Sequence, residues 1–404
     1  MTNIPKRRFK GFTDPWQQHT LGEVANIFDG THQTPVYTET GVKFASVENI
    51  PNLETTKFIS QEAYNKEYTN KQAEKGDVLM TRIGDIGTTK VIETDEPLAY
   101  YVTLALLKPK GVASHFLAHS IASPKVQEDI RKRTLHVAFP KKINLGEISQ
   151  VTLAIPPSLE EQTAIGNFFR TLDNTITTQT QYINKQKSLK SAYLTEMFPA
   201  PGKLSPKRRF EGFVDEWQPH KLEEVAHFRR GSFPQPYGNE DWYDGLNAMP
   251  FVQVVDVGFD LKLAEKTKQR ISELAQPMSV FVPANTVIVT LQGSIGRVAV
   301  TQYDAYVDRT LLIFEGYKKQ VNLQFWAYII QQKFDIEKQK APGGTIKTIT
   351  KEALSDFEVI MPCLEEQTQI GNFFKTMDNL IAVETQKLEK LQALKQAYLS
   401  EMFV

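Results

Sequence analysis

Residues 159–198 read LEEQTAIGNFFRTLDNTITTQTQYINKQKSLKSAYLTEMF, and residues 364–403 read LEEQTQIGNFFKTMDNLIAVETQKLEKLQALKQAYLSEMF. Roughly 25 of about 40 aligned positions are identical without a gap, which marks an internal repeat. Both copies are expected to be single long helices, each about 60 Å from end to end at 1.5 Å per residue. In the first, Ile165, Phe169, Leu172, Ile176, Ile183, Tyr193 and Met197 recur at spacings of three and four; in the second, Ile370, Phe374, Met377, Ile381, Leu388, Leu391, Tyr398 and Met402 do the same. Such spacing lays an apolar seam along one side of a helix and suits coiled-coil pairing, so each seam is the obvious cover for the other. Ser158 followed by Glu161, after Pro156-Pro157, reads as a capping box. Cys363 stands where the second helix should have its capping hydroxyl.

A second repeat lies upstream. PKRRFKGFTDPWQQHTLGEVA at 5–25 returns as PKRRFEGFVDEWQPHKLEEVA at 206–226. The boxes are offset by 201 residues (206 − 5) and the helices by 205 (364 − 159), so the whole chain is two tandem units. The expected division is a first module over 1–158 with its box at 5–25, a spacer helix at 159–198, a second module over 199–363 with its box at 206–226, and a spacer helix at 364–404. The linker PAPGKLSP at 199–206 ends the first helix with three prolines and a glycine. Trp16 and Trp217, with Phe12 and Phe213, are read first as packing residues and only second as nucleotide-stacking ones.

The middles share a plan and little sequence. Residues 42–50, 77–94 and 102–109 of the first, and 250–257, 286–302 and 310–316 of the second, read as short strands with tight glycine turns at Gly84/Gly87 and Gly293/Gly296. A helix follows at about 114–133 and about 322–340, then a strand into each long helix. The fold class is therefore α+β: two mixed modules separated by two long helices in an antiparallel coiled coil, related by a pseudo-twofold. Nearly identical ends around unlike middles fit a scaffold that holds two differently surfaced modules.

The chain has 404 residues, enough for two real cores. Its 47 basic and 47 acidic side chains cancel, so no global charge argument for nucleic acid exists. One cysteine excludes a disulfide framework or a cysteine-rich zinc site. No apolar run nears about 18 residues and the start lacks a signal-peptide core, so a cytoplasmic protein is expected. No phosphate loop, dinucleotide fingerprint, base-clasping tetrapeptide or metal-nuclease signature is present. His115 and His119 have ligand spacing, but no third ligand is evident and they are read as packing or surface histidines.

Polar loops with basic residues recur at matched places: 30–35 and 229–236 after the first apolar element, 136–144 and 341–349 before the last strand. They carry side chains of the kind that meet base edges and phosphates. The candidate contacts are His32, Gln33, Thr34, Lys43, Ser46, Arg82, Lys90, Lys141 and Lys142 in the first module. In the second they are Arg229, Arg230, Ser232, Gln235, Gln253, Gln292, Arg297, Thr345 and Lys347.

The box PK-x-RF-x-GF-x-D-x-W, the Pro-x-x-LEEQ-x-x-IG-x-FF helix start and the duplicated plan resemble the specificity (S) subunit of type I restriction–modification systems, over essentially the whole chain. The resemblance implies two target recognition domains, each binding half of a split, asymmetric DNA sequence, and a paired-helix ruler between them. It implies two modification subunits as partners, which bind S-adenosylmethionine and methylate adenine, and restriction subunits that use ATP and Mg²⁺. It also implies that this chain is not itself an enzyme and holds no cofactor or metal. Two readers spaced on one duplex face call for half-sites about one turn, roughly 34 Å, apart. Cys363, and Leu291 in the place of Arg82, depart from the usual pattern. The alternatives are a single-chain DNA methylase or nuclease, and a coiled-coil adaptor that binds protein but not DNA.

Overall fold

The computed structural model describes residues 4–340, 354 and 357–404. The chain divides into two compact units, Met1–Gln181 with Gln386–Val404, and Tyr182–Thr385. The two long helices, Leu159–Met197 and Leu364–Met402, are each uninterrupted over 39 residues, and each gives one part to either unit.

In the first unit the box strand Gln17–Thr20 pairs antiparallel with Thr152–Ile155, the strand that leads into the first long helix. Ala25–Asp29, Leu104–Pro109, Val78–Ile83 and Asp85–Val91 form a four-stranded antiparallel sheet in that order. A second sheet runs Tyr37–Thr38, Phe58–Ile59, Val42–Ala45, Leu98–Tyr100, and its last pair is parallel. The second unit repeats this plan, except that its second sheet runs on by one strand beyond the parallel pair instead of ending there. Gln218–Lys221 pairs with Glu358–Met361; one sheet runs Ala226–Arg230, Leu311–Tyr317, Val287–Thr290, Val298–Val300; the other runs Gln269–Ile271, Met249–Val252, Ala305–Val307, Val280–Val282. Here too the strands equivalent to the parallel pair, Met249–Val252 and Ala305–Val307, are parallel.

Three expectations change. The strand expected over 250–257 stops at Val252, where Gln253 N–H donates to Asp256 at 2.8 Å and Val254–Asp256 turns as a 3-10 helix. The helix expected over about 114–133 is two helices, Ser114–Ala122 and Pro124–Arg133, because Pro124 has no N–H to continue the first and instead opens the second. The strand expected over 42–50 stops at Ala45: the Asn49 side chain accepts from the Ser46 N–H at 2.9 Å and curls Val47–Asn49 into a 3-10 turn.

The repeated motifs interlock. Arg8 of the first box makes a two-pronged ion pair with Glu161 (Nε–Oε1 2.6 Å, Nη2–Oε2 2.7 Å) and also donates to the Asp14 carbonyl. Arg209 does the same to Glu366 and the Asp215 carbonyl. Glu161 therefore completes only half of its capping box: its N–H takes the Ser158 hydroxyl oxygen at 3.3 Å, while its carboxylate goes to arginine. Gln162 donates to the Pro156 carbonyl and accepts from Ala113 N–H; Gln367 makes the matching pair with Pro362 and Asn322. A Cβ on Gly166 would sit 2.9 Å from the Phe116 backbone nitrogen, so glycine lets the module helix touch the long one. Trp16 (2% exposed) and Trp217 (0%) are core residues, set against Phe116 and Phe403, and against Phe198 and Phe325.

The seams pair antiparallel inside each unit. In the first, Phe168 meets Tyr398 and Asp173 meets Lys395; in the second, Tyr193 meets Phe373 and Lys190 meets Asp378. The helix ends do more than cover each other. Ile165 and Phe169 lie in the module core with Trp16, Phe116 and Phe403, and Ile370 and Phe374 lie with Trp217 and Phe325.

Candidate nucleic-acid interface

In each unit one end of the parallel strand pair gathers the polar loops. The chain leaves the first sheet at Gly30 and passes so close to the Tyr100 carbonyl that a Cβ would lie 2.1 Å from it; Gly231 does the same at the Val307 carbonyl, 2.2 Å. Thr31 N–H then donates to the Tyr100 carbonyl, and Ser232 N–H to that of Val307. Beside them stand the 3-10 turns opened by Ser46 and Gln253, whose N–H groups are held by Asn49 and Asp256. The backbones match while the side chains do not: His32 stands where Phe233 does, Ser46 where Gln253 does, Tyr101 where Asp308 does, and Arg82 where Leu291 does.

In the first unit Asp29 and Arg82 tie these loops together. Asp29 Oδ2 lies 2.6 Å from His32 Nε2 and 3.5 Å from Arg82 Nη1. Arg82 also donates to the Ile143 carbonyl at 3.2 Å and the Val102 carbonyl at 3.3 Å. Its side chain is only 9% exposed, and burial pulls the guanidinium below its ordinary pKa, with Asp29 offsetting part of the effect. Arg82, expected as a base or backbone contact, is turned inward and bonds the loops from beneath. Ser46, 7% exposed, is likewise spent on its own turn. His32, Gln33 and Thr34 are exposed on one loop, and Lys141 and Lys142 on another. That second loop is stitched to the hairpin turn by Gly84 N–H to the Lys141 carbonyl and Ile143 N–H to the Arg82 carbonyl.

Two expected residues lie elsewhere. Lys43 is at the opposite end of its strand from Ser46 and pairs with Glu96 at 3.2 Å. Lys90, opposite Leu79 and well back from the hairpin turn, lines a cavity of about 370 Å³ with His115, Arg170 and Asp173. His119, next to that cavity, has both ring nitrogens engaged: Nδ1 is 2.6 Å from the His115 carbonyl and Nε2 is 2.9 Å from Asp173. Among the described residues no group of three or more His, Cys, Asp or Glu is placed to hold a metal ion, and no helix is long and apolar enough to cross a membrane.

In the second unit the cluster is built on an aromatic. Tyr237 Oη donates to Asp308 Oδ2 at 2.6 Å, accepts from Gln253 Nε2 at 3.3 Å, and lies under the Arg309 guanidinium at 5.5 Å. Burial, followed by the hydrogen bond to Asp308, pushes its phenol up to about 12. The exposed Gln235 accepts from Tyr237 N–H, and Ser232 donates to the Met278 carbonyl. Arg229 is exposed with Glu315 at 3.7 Å, and Arg230 is half-buried. Arg297 lies 4.1 Å over the Phe259 ring, and Gln292 is half-buried in the turn before it. Thr345 and Lys347 lie outside the described residues. Tyr237, Asp308 and Arg309 were not expected from sequence: Tyr237 and Asp308 are 71 positions apart, and only strand pairing brings them together.

A family model described as "Type I restriction modification DNA specificity domain" matches residues 13–186 and again 214–393. The putative type I restriction enzyme MjaX specificity subunit of Methanocaldococcus jannaschii is 22% identical over 332 residues, spanning 80% of this chain and 76% of that protein. The crystal structure of the Type-I restriction-modification system S subunit from M. genitalium matches with a TM-score of 0.68 at 13% identity, covering 99% of each chain. A chain from a structural study of complex assembly and conformational transition of the type I R-M system matches with a TM-score of 0.54 at 16% identity, covering 97% of this chain and 98% of that one. At such identities these two structures speak for the fold.

Proposed function

This chain belongs to the type I restriction–modification DNA specificity family, and from that premise we propose how it divides its work. It is the DNA-recognition component of such a system, with two tandem target recognition domains, and not the catalytic one. Each domain reads one half of a bipartite, asymmetric duplex target, and the long helices set the spacer and dock the methyltransferase subunits. One observation carries this reading: matched backbone positions in the two units present different side chains, from His32 against Phe233 to Tyr101 against Asp308. One scaffold with two unlike surfaces suits an asymmetric target.

The proposed contacts are His32, Gln33, Thr34, Lys141 and Lys142 from the first domain, and Arg229, Ser232, Gln235, Gln253 and Gln292 from the second. Arg82, Ser46 and Arg297 position the loops, and Arg230 remains a candidate contact. S-adenosylmethionine belongs to two methyltransferase partners, ATP and Mg²⁺ to restriction subunits, and the assembly works in the cytoplasm. Adenine methylation takes place on a flipped base, whose pocket lies in the partner.

The test is to co-express the chain with its methyltransferase and map methylated adenines across a genome. A split, non-palindromic motif is expected. The purified chain given DNA, S-adenosylmethionine and Mg²⁺ is expected to be inert. A motif without a gap, or methylation by the chain alone, overturns the proposal.

A further inference from the structure

The loop joining Leu135 to Lys142 projects from the first recognition domain on a fixed base. Leu135 N–H donates to the Lys142 carbonyl at 2.8 Å, the His136 ring lies 2.9 Å from the Arg131 carbonyl, and Gly84 N–H holds the Lys141 carbonyl at 2.8 Å. Its tip carries two apolar side chains, Val137 at 99% exposure and Phe139 at 104%. Scattered exposed apolar residues are ordinary. Two of them, two positions apart, on a loop whose stem is hydrogen-bonded on both sides, are not explained by any core they serve. The loop's other exposed residues are Leu135 and Pro140 together with His136, Lys141 and Lys142, and the two lysines suit a phosphate-lined groove. The stem is continuous with the candidate interface, since Ile143 N–H and its carbonyl both bond Arg82, which in turn meets Asp29 and thereby His32.

We propose that Phe139 is a specificity residue of the first half-site, reading a thymine 5-methyl group in the major groove by apolar contact, with Lys141 and Lys142 on the flanking phosphates. Thymine is the one base whose major-groove edge offers a methyl group, and phenylalanine is among the side chains that meet it. The contact carries sequence information that the lysines do not. This inference rests on the DNA-recognition reading above.

The probe is a set of duplexes of the mapped target in which each thymine is replaced singly by deoxyuridine, which lacks only that methyl. They are bound by the chain assembled with its methyltransferase. The unsubstituted protein loses about tenfold in affinity at one deoxyuridine position, in one half-site. Phe139→Ala loses a similar factor on the parent duplex and nothing further at that position, while Phe139→Leu keeps most of the affinity. Binding to random DNA and its salt slope stay unchanged in both variants, which also reports an intact fold. Lys141→Ala instead lowers the salt slope on every sequence. The inference is overturned if no thymine is sensitive to loss of its methyl, if Phe139→Ala binds the parent duplex as tightly as the unsubstituted protein, or if its loss adds to every deoxyuridine loss. A complex that does not distinguish its mapped site from random DNA fails the underlying reading; one that does, yet ignores Phe139, fails this inference alone.

Discussion

Arg8 and Glu161 are 153 positions apart, and their ion pair fastens the box to the long helix. Glu161 is 1% exposed and Arg8 11%, so neither can be left alone in the interior. Arg8→Ala strands a buried carboxylate, a change that typically costs about 3–5 kcal/mol. The urea midpoint of the first unit is expected to fall accordingly. Replacing both partners, Arg8→Met with Glu161→Leu, recovers most of that loss, because the desolvated charge is gone; equal instability of the double variant would refute this account. Asp173 allows a pH test. Burial alone would raise its carboxyl, but hydrogen bonds from His119 and Lys395 outweigh burial and hold it below the usual range. A carboxyl depressed in the folded state stabilises fully above its unfolded value of about 3.9, and that contribution is lost as pH falls through the folded value. Acid unfolding of Asp173→Asn should therefore show a shallower fall in stability below about pH 4 than the parent. An unchanged acid limb would count against the node. The residue scale is also where sequence reading was weakest. Val78–Ile83 is buried almost throughout, so strand alternation gave no signal that Arg82 points inward.

Elements were far more legible. A seam at three-and-four spacing, repeated with its flanking prolines, marks both long helices to within two residues. The hairpins at Gly84 and Gly293 followed from glycine placement, and both glycines have positive φ. What sequence could not show is why IG-x-FF recurs: Gly166 and Gly371 lie against the module helices, and a Cβ at Gly371 would sit 2.2 Å from Asn322 Oδ1. Gly166→Ala is expected to cost about 1–3 kcal/mol through overpacking, although alanine is the better helix former. Thermal unfolding at higher Tm in this variant would contradict the contact. Cys363 is a milder case. It is exposed and occupies the position where Ser158 receives the Glu161 N–H. Cys363→Ser supplies the missing hydroxyl and should stabilise by about 0.5–1 kcal/mol, read as a higher urea midpoint without change in m-value. The reverse change, Ser158→Ala, should lose a similar amount.

At the scale of the whole molecule, the proposed ruler has a consequence in DNA coordinates. Each long helix is continuous across the boundary of the two units, at Gln181/Tyr182 in one and Thr385/Gln386 in the other. Seven residues inserted at both boundaries add two helical turns, about 10 Å, and preserve the seam register on either side. That length matches about three base pairs at about 3.4 Å each. Three base pairs also turn the duplex by about 100°, since one turn takes 10–10.5. Two heptad turns of helix return nearly to phase, so length is matched and rotation is not. The expected methylation motif keeps both half-sites, lengthens its spacer by two to three base pairs, and is methylated more slowly, because DNA or loops must absorb the twist. An insertion in one helix alone mismatches the seams and should destabilise the protein without yielding a new motif. Mapping methylated adenines for the three proteins decides the matter: a doubly lengthened chain that still modifies the original spacer at full rate would show that something other than these helices sets the gap.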